Sequence, residues 1–209
     1  MRTAEARQLS GRTALVVGGG TTFGRAVALA LSARGVRIVV TGRDEKALGV
    51  TVGEIVHGGG KARHVVGEGR ASSVLDIAVQ RARDVFGAID IVIDAELKDV
   101  EYTFDTAAAH VRSPGRVLFV FSPGASGAAN APGMTQDAMA LAVRERARSA
   151  SGNGVTCNAI VVVRRAASDN GDGDDDDDVA ADVGELAVFL CGRSADRITG
   201  QSIALEAGA

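Results

Sequence analysis

The regular alternation of short apolar runs with longer segments of helical periodicity constrains this fold more than any other feature. Runs such as TALVV and VLFVF are apolar at every position or nearly so, whereas a strand with one face in water alternates. Strands that are apolar on both faces need cover on both, so the pattern predicts a parallel sheet between two helical layers. With short, right-handed connections this is a doubly wound α/β sheet in a single domain, residues 1–209.

The same pattern predicts seven strands and six helices. The strands are expected at residues 13–17, 36–40, 62–66, 89–93, 117–121, 155–163 and 202–205. The helices are expected at residues 23–34, 44–56, 72–86, 97–111, 136–149 and 179–190. Ser72 or Ser73 is expected to cap the third helix, and Ser113-Pro114-Gly115 to end the fourth.

The composition argues against two kinds of binding partner, nucleic acids and membranes. The chain has 209 residues, 46% of them hydrophobic, which is enough for one sizeable core. The net charge is −3 and only 3% of the residues are aromatic, so neither a basic surface nor stacking platforms favour a nucleic-acid partner. No apolar run approaches the roughly 18 residues that span a bilayer, and the first residues contain no apolar signal segment. We therefore expect a cytoplasmic protein with no membrane partner.

The cysteines indicate neither a disulfide framework nor a metal site. Cys157 and Cys191 lie far apart in the chain, in the apolar stretches VTCNAIVVV and AVFLCG. We expect two buried free thiols in a reducing compartment. No spacing typical of metal ligands is present, so no metal is expected.

The one low-complexity segment is SDNGDGDDDDD, residues 168–178. It cannot bury apolar surface, so it is predicted to be a solvated loop insertion. A calcium loop is the alternative, because Asp174, Asp176, Asp178 and Glu185 fall at loop positions 1, 3, 5 and 12. The position that needs glycine in such a loop holds a valine, which counts against it.

A glycine-rich turn, Gly18-Gly19-Gly20-Thr21-Thr22-Phe23-Gly24-Arg25, joins the first predicted strand to the first predicted helix. Glycines there let the backbone approach an anion at the helix N-terminus, where free N–H groups and the helix dipole favour negative charge. Tight turns between a strand and a helix need glycine even where no ligand binds. The turn alone therefore does not establish a nucleotide site.

With this turn, GRTALVVGGGTTFGRAVALALSARGVRIVVTGR resembles the opening of the short-chain dehydrogenase/reductase family. FGAIDIVI is similar to the family's fourth strand, and VGELAVFLCGRSADRITGQSIALEAGA is similar to its ending. The resemblance covers residues 11–67 and 116–209 and is nearest to the ketoacyl-thioester reductases of the family. It implies a Rossmann-type sheet of seven strands.

The resemblance implies a nicotinamide dinucleotide site that departs from the family pattern TGxxxGxG. Val17, Gly18, Thr22 and Gly24 match its four defined positions, so a β-branched residue replaces the middle glycine and should weaken contact with the pyrophosphate. The candidate cofactor-binding residues are Gly18, Gly20, Thr22, Phe23, Gly24, Arg25, Arg43 and Glu68.

The basic candidates favour one form of the dinucleotide. Arg43 follows the second strand, where an acidic residue would bind ribose hydroxyls and select NAD(H). Together with Arg25 beside the glycine turn, it suits the 2′-phosphate of NADP(H), bound weakly. Two solvated arginines are the alternative reading. Glu68 roughly matches the aspartate with which the family contacts adenine.

The resemblance also implies a catalytic serine, tyrosine, lysine and asparagine, and most of these positions are changed. Ser122, after the fifth strand, matches the serine that polarises the substrate carbonyl. The tyrosine and lysine positions fall near Pro132 and Gln136, and residues 122–151 contain neither residue type. Glu96 stands where the relay asparagine is expected, at the start of the fourth helix. The family's NNAG turn is missing, and the acidic run replaces the substrate-covering loop.

The single tyrosine offers one compensating arrangement. Tyr102 lies four residues after Lys98, so the two would share a helix face in the reverse order of the family's catalytic pair. An ordinary pair on a helix surface is the alternative.

The parts of the sequence that still match the family are those that form subunit interfaces in it. Residues 97–111 and 136–149 are rich in alanine and match the helices that pair subunits in the family, and Ile203 and Leu205 match a second interface. We expect Ala107, Ala108, Met139 and Ala142 to be buried in an oligomer. The sequence therefore favours a non-catalytic subunit that assembles with itself or with an active paralogue and binds NADP(H) weakly. The alternative is an NADP(H)-dependent oxidoreductase that reduces a ketoacyl-type carbonyl with unconventional acid–base residues.

Overall fold

The computed structural model describes residues 9–67, 71–97, 100–122, 135–150, 152–164 and 175–207. The strands are β1 (Thr13–Val17), β2 (Arg37–Gly42), β3 (Ala62–Val66), β4 (Ile89–Asp94), β5 (Val111–Phe121), β6 (Val155–Arg164) and β7 (Ser202–Ala207). The helices are α1 (Thr22–Ser32), α2 (Glu45–His57), α3 (Ala71–Phe86), α4 (Val100–His110), α5 (Gln136–Ala150) and α6 (Asp175–Cys191), with a 3₁₀ turn at Arg193–Ala195.

All seven strands are parallel, in the order β3-β2-β1-β4-β5-β6-β7. The predicted doubly wound sheet is therefore confirmed. Val17, at the end of β1, pairs with Thr41 of β2 on one side and with Asp94 of β4 on the other. The winding reverses between β1 and β4, and ligands of doubly wound sheets bind at such a point, beyond the carboxyl ends of the strands.

Two apolar clusters cover the two faces of the sheet. Helices α1, α2 and α6 pack over the cluster that contains Val16 and Val40, while α3, α4 and α5 pack over the cluster that contains Leu15 and Val39. Because side chains alternate between the faces of a strand, consecutive residues enter different clusters. This double burial explains why the strands are apolar at consecutive positions.

Tertiary pairing overrides the local signals in the β4–β5 region. Helix α4 begins at Val100, and β5 begins at Val111, so Ser113-Pro114-Gly115 lies inside the strand. Gly115 pairs with Val155 of β6. The helix ends within one residue of the predicted Val111, but the strand begins at Val111 and not at the predicted Val117, because Val111 already pairs with Ile89 of β4.

Two other expectations about helix starts are also wrong. Helix α3 begins at Ala71, so both Ser72 and Ser73 lie within its first turn and neither is the N-cap. Helix α6 begins at Asp175, so the last four residues of the predicted 168–178 loop are helical. Acidic residues are favoured in the first turn of a helix because they face the positive end of its dipole.

Candidate nucleotide-binding site

The glycine turn lies at the carboxyl end of β1, where the sequence predicts it. Its glycines allow a backbone conformation and close contacts that residues with a Cβ would not allow. Gly18 has φ of +77°, a left-handed conformation that glycine adopts readily, and its N–H donates to Thr41 O at 2.8 Å. A Cβ on Gly24 would overlap the carbonyl oxygen of Gly18, and one on Gly19 would overlap Val40. These glycines are required for folding whether or not a ligand binds.

The start of α1 presents backbone donors at this turn. The side chain of Thr21 caps the helix by accepting the N–H of Gly24 at 3.1 Å. The N–H groups of Thr22 and Phe23, in the first turn, have no partner within the helix, as in any helix N-terminus. The side chain of Thr22 is exposed, whereas the ring of Phe23 is buried in the core. Phe23 can therefore contribute only its backbone to a ligand.

A cleft of about 360 Å³ opens beside the turn, within the roughly 300–1,000 Å³ typical of small-molecule pockets. Its lining residues come from the glycine turn, the end of β2, the start of α2 and the turn after β4. They are Gly20, Thr21, Gly42, Arg43, Asp44, Ala47, Leu48 and Glu96. The glycines and the helix N-terminus suit a dinucleotide, because a backbone free of Cβ atoms admits a pyrophosphate closely. The glutamate does not suit a phosphate.

The structure separates the two arginines on which the NADP(H) prediction rests. Arg43 is exposed and lines the cleft. Arg25 is not among the lining residues; it binds Glu54 of α2, with Nε donating to Oε2 at 2.9 Å and Nη2 donating to Oε1. The contact of Arg25 with a 2′-phosphate stays a prediction, and the ion pair with Glu54 does not favour it because a carboxylate already binds the guanidinium.

Glu96 lies in the cleft and not on a helix. It follows β4 directly, in the turn Ala95–Leu97, and only 8% of it is exposed. A Cβ on Gly18 would lie 2.7 Å from Glu96 Cγ, so the side chain passes directly over the end of β1. The match of Glu96 with the relay asparagine stays a prediction; the structure places Glu96 in the turn after β4, beside the glycine turn.

Sequence reasoning missed Asp94, which holds this turn in place. Its Oδ1 accepts the backbone N–H groups of Glu96 at 3.0 Å and of Leu97 at 2.9 Å, and its Oδ2 accepts the hydroxyl of Thr103 at 2.8 Å. Burial raises the pKa of Asp94 above its usual value, although these hydrogen bonds oppose the shift. An aspartate directly after an apolar run is the available signal, since aspartate often accepts N–H groups two or three residues ahead.

The candidate catalytic residues are spread apart. Ser122 follows β5 at the same edge of the sheet; it is buried, and its hydroxyl has no hydrogen-bond partner among the described residues. Gln136 is exposed at the start of α5. Tyr102 packs against the apolar cluster under α3, α4 and α5 and does not line the cleft. Glu68, Lys98 and Pro132 lie outside the described residues.

Both thiols are buried and unpaired, as the sequence predicts. Burial raises the pKa of Cys157 and of Cys191 to about 12. Over the part of the chain that the structure covers, no three histidine, cysteine, aspartate or glutamate side chains gather as a metal site. None of the helices in that part has the length and apolarity to cross a membrane.

Known proteins match the chain in the parts that build this site. Residues 12–95, from β1 to the turn after β4, match the family model of the short chain dehydrogenases. The ketoacyl reductase HetN of Nostoc sp. (strain PCC 7120 / SAG 25.82 / UTEX 2576) is 31% identical over 96 residues, which are 46% of this chain. That match covers 33% of the relative, so the chain aligns with about a third of its length.

Solved structures share the whole fold. A dehydrogenase/reductase from Sinorhizobium meliloti 1021 superposes with a TM-score of 0.80 at 20% identity, covering 99% of this chain and 98% of its own. A short chain dehydrogenase from Burkholderia cenocepacia J2315, in complex with NADP, gives a TM-score of 0.77 at 21% identity, covering 95% and 98%. Residues 12–95 are therefore similar to the short chain dehydrogenases in sequence, and the whole chain is similar to the two solved structures in fold.

Proposed function

We propose that this chain is a non-catalytic short-chain dehydrogenase-like subunit that retains a weak nucleotide cleft and acts through assembly, with itself or with an active paralogue. The observation that carries the proposal is the composition of residues 122–151, which contain neither tyrosine nor lysine. Proton transfer by a positioned group contributes typically 10²–10⁴-fold to a rate. The side chains of Pro132 and Gln136 cannot supply it at neutral pH.

Tyr102 does not compensate for this loss. Its side chain packs against the apolar cluster on the face of the sheet covered by α3, α4 and α5. A general acid must come within hydrogen-bond reach of the atom that receives its proton. Glu96, which does line the cleft, places negative charge beside the site, and negative charge also develops on a carbonyl oxygen during its reduction.

The assembly half of the proposal rests on helices α4 and α5. They are joined within the protomer by Arg146, whose Nη2 donates to Glu101 Oε1 at 2.6 Å and whose guanidinium lies 5.6 Å from the Phe104 ring centre. Leu141 on α5 is 57% exposed. An exposed leucine on a helix that already packs on the sheet gains from burial against a second subunit.

We infer that the proposed interface uses only some of the residues expected from the sequence. Ala107 and Met139 are buried within the protomer's own core, so they are unable to face a partner. Ala108 and Ala142 are half-buried, and Leu141, which precedes Ala142 in α5, is exposed. The expected interface therefore shifts along the surface of α5 toward Leu141.

The kinetic test uses the purified chain with NADPH or NADH and a ketoacyl thioester, followed by absorbance of the reduced nicotinamide. We expect no turnover above the protein-free rate. The alternative function, reduction of a ketoacyl-type carbonyl with NADP(H), is favoured by the buried Ser122 hydroxyl at the same edge of the sheet. Turnover that Ser122→Ala or Tyr102→Phe abolishes would establish that alternative and defeat the proposal.

A further inference from the structure

Three buried polar groups lie at the amino-terminal end of one face of the sheet without a hydrogen-bond partner among the described residues. They are Nη1 of Arg12, Nε of Arg116 and Oγ1 of Thr156. Arg116 is 2% exposed and Thr156 is 7% exposed, while Arg12 is half-buried. Buried polar groups are normally hydrogen-bonded, so three of them in one region call for a bound partner.

The three side chains share the face of the sheet that α1, α2 and α6 cover. Each lies an even number of positions before a residue of the apolar cluster on that face, and side chains alternate between faces along a strand. These cluster residues are Ala14, Leu118 and Ile160. Arg116 of β5 pairs directly with Thr156 of β6, so their side chains are neighbours on adjacent strands.

Positive charge outweighs negative charge around this group of side chains. Arg116 is paired with Asp196, whose carboxylate is about half exposed. The guanidinium of Arg12 makes no hydrogen bond to a described residue. Burial and the charge of Arg116 lower the pKa of Arg12. The carboxylates of Asp90 and Asp196 oppose that shift without cancelling it, and Asp90 already accepts a hydrogen bond from Arg112.

An anion meets the needs of these groups better than a water molecule does. Guanidinium N–H groups only donate hydrogen bonds, and a threonine hydroxyl donates one. Water accepts two hydrogen bonds and carries no net charge. A halide ion accepts from several donors at once and offsets the repulsion between the two guanidinium groups, since hydrogen bonds to ionised groups are the stronger kind.

The end of α6 and the chain that follows it cover these groups. Cys191 and Ala195 are buried in the apolar cluster on the same face. Arg116 Nη2 lies 3.5 Å from Gly192 O. Asn158, two residues after Thr156, holds the next segment because its Nδ2 donates to Ile198 O at 2.8 Å. Cover of this kind suits one small ion and not a larger organic acid.

We propose that Arg12, Arg116 and Thr156 form a binding site for a chloride ion at the amino-terminal end of the sheet. The ion joins β1, β5 and β6 beneath the end of α6. It stabilises the folded chain, because the unfolded chain does not bring the three donors together. The nucleotide cleft lies at the carboxyl end of the strands, so this site is independent of the proposed function.

The test follows urea unfolding of the full chain while sodium chloride replaces sodium gluconate at constant ionic strength. We expect the folded-to-unfolded ratio to rise about tenfold on going to about 0.2 M chloride, the effect of a Kd of roughly 20 mM. Arg12→Gln removes one charge from the site and should abolish that rise. Arg81→Gln, at an exposed position on α3, is the matched control and should keep it.

A second measurement detects the ion directly. The native chain should broaden the ³⁵Cl resonance of chloride in solution, because a bound ion exchanges with the free ions and relaxes faster. This broadening should be lost in Arg12→Gln and retained in Arg81→Gln. Thr156→Val keeps the shape of the side chain and removes one donor, so it should weaken the broadening and the chloride-dependent stability severalfold.

The outcomes separate this inference from the proposed function. A native chain whose stability does not respond to chloride overturns the site, and so does an undiminished response in a folded Arg12→Gln variant. If Arg12→Gln does not fold, Thr156→Val decides by the same criterion. A failed chloride response leaves the assembly proposal in place, whereas turnover of a ketoacyl thioester defeats the proposed function without altering the chloride response.

Discussion

Asp94 Oδ1 lies 2.9 Å from the backbone nitrogen of Leu97 and accepts its N–H, in a turn where Leu97 has a positive φ. This contact fixes the exit of the chain from β4. The left-handed conformation costs a non-glycine residue roughly 1–2 kcal/mol. The hydrogen bond and the burial of the leucine side chain in the core offset that cost. The position of Glu96 in the cleft therefore depends on its two neighbours along the chain.

The first prediction concerns the charge on Asp94. Since its pKa is raised in the folded state, the folded chain holds this proton more tightly than the unfolded chain does. Its contribution to stability is then greatest at low pH and falls as the pH rises from about 4 through the folded pKa. Asp94→Asn keeps the acceptor for both N–H groups and should be more stable than the native chain at pH 8, with less gain at pH 4.

Urea unfolding at several pH values measures this effect. The exposed Asp182→Asn serves as the control and should show no such gain. Asp94→Ala should instead destabilise the chain by roughly 1–3 kcal/mol for each backbone donor left without a partner. An Asp94→Asn variant that loses stability at pH 8 would contradict the role assigned to the buried charge.

The second prediction concerns Arg25 and Glu54. Both side chains are more than a third exposed, so water screens the pair. Arg25→Ala should lower the free energy of unfolding by no more than about 1 kcal/mol. It should also change the Kd for NAD⁺ by less than about twofold, because Arg25 does not line the cleft. Arg43→Ala is the comparison and should weaken NADP⁺ while leaving NAD⁺ unchanged. A tenfold loss of nucleotide affinity in Arg25→Ala is the result that would sink this assignment.

The third prediction tests the interface on α5. Leu141→Arg should dissociate the assembly while the protomer stays folded, because the leucine is exposed within the protomer. Val56→Arg, at an exposed apolar position on α2 in the opposite helical layer, should leave the assembly intact. Ala107→Arg should unfold the protomer, since it places a charge in the core. Light scattering coupled to size-exclusion chromatography distinguishes these outcomes, and a native protein that is monomeric at all concentrations and with its paralogue refutes the interface.

The fourth prediction concerns the two thiols. With the pKa of Cys157 and Cys191 raised to about 12, almost no thiolate is present at pH 8. Modification by a thiol reagent should therefore be slow in the native chain and fast for both residues in denaturant. Because both pKa values are raised in the folded state, the contribution of these thiols to stability is fully present below about pH 9. It is lost as the pH rises from about 9 to about 12. Rapid native labelling of either cysteine would show that its segment opens locally.

The sequence alone determines the sheet of this protein. The residues of β1 and β3 are predicted at their observed bounds, because an apolar run between glycine-rich or polar segments is a local signal. The helix starting after Asp44 is also local: its side chain accepts the N–H of Ala47 three residues ahead. The glycine turn after β1 belongs to the same class, since its spacing between strand and helix lies within eight residues of sequence.

Only the tertiary structure decides the chemistry of the cleft. Glu96 meets Gly18 and Gly42 because β1 and β2 lie beside β4 in the sheet, and Arg25 meets Glu54 because α1 and α2 pack in one layer. These partners are tens of residues apart, so neither spacing nor periodicity predicts their contact. A family motif gives a residue an expected role from its position in the sequence. The neighbours of its charged group, however, are determined by how the strands and helices pack. For this reason the position of Glu96 in the cleft, beside the glycine turn, is known only from the structure.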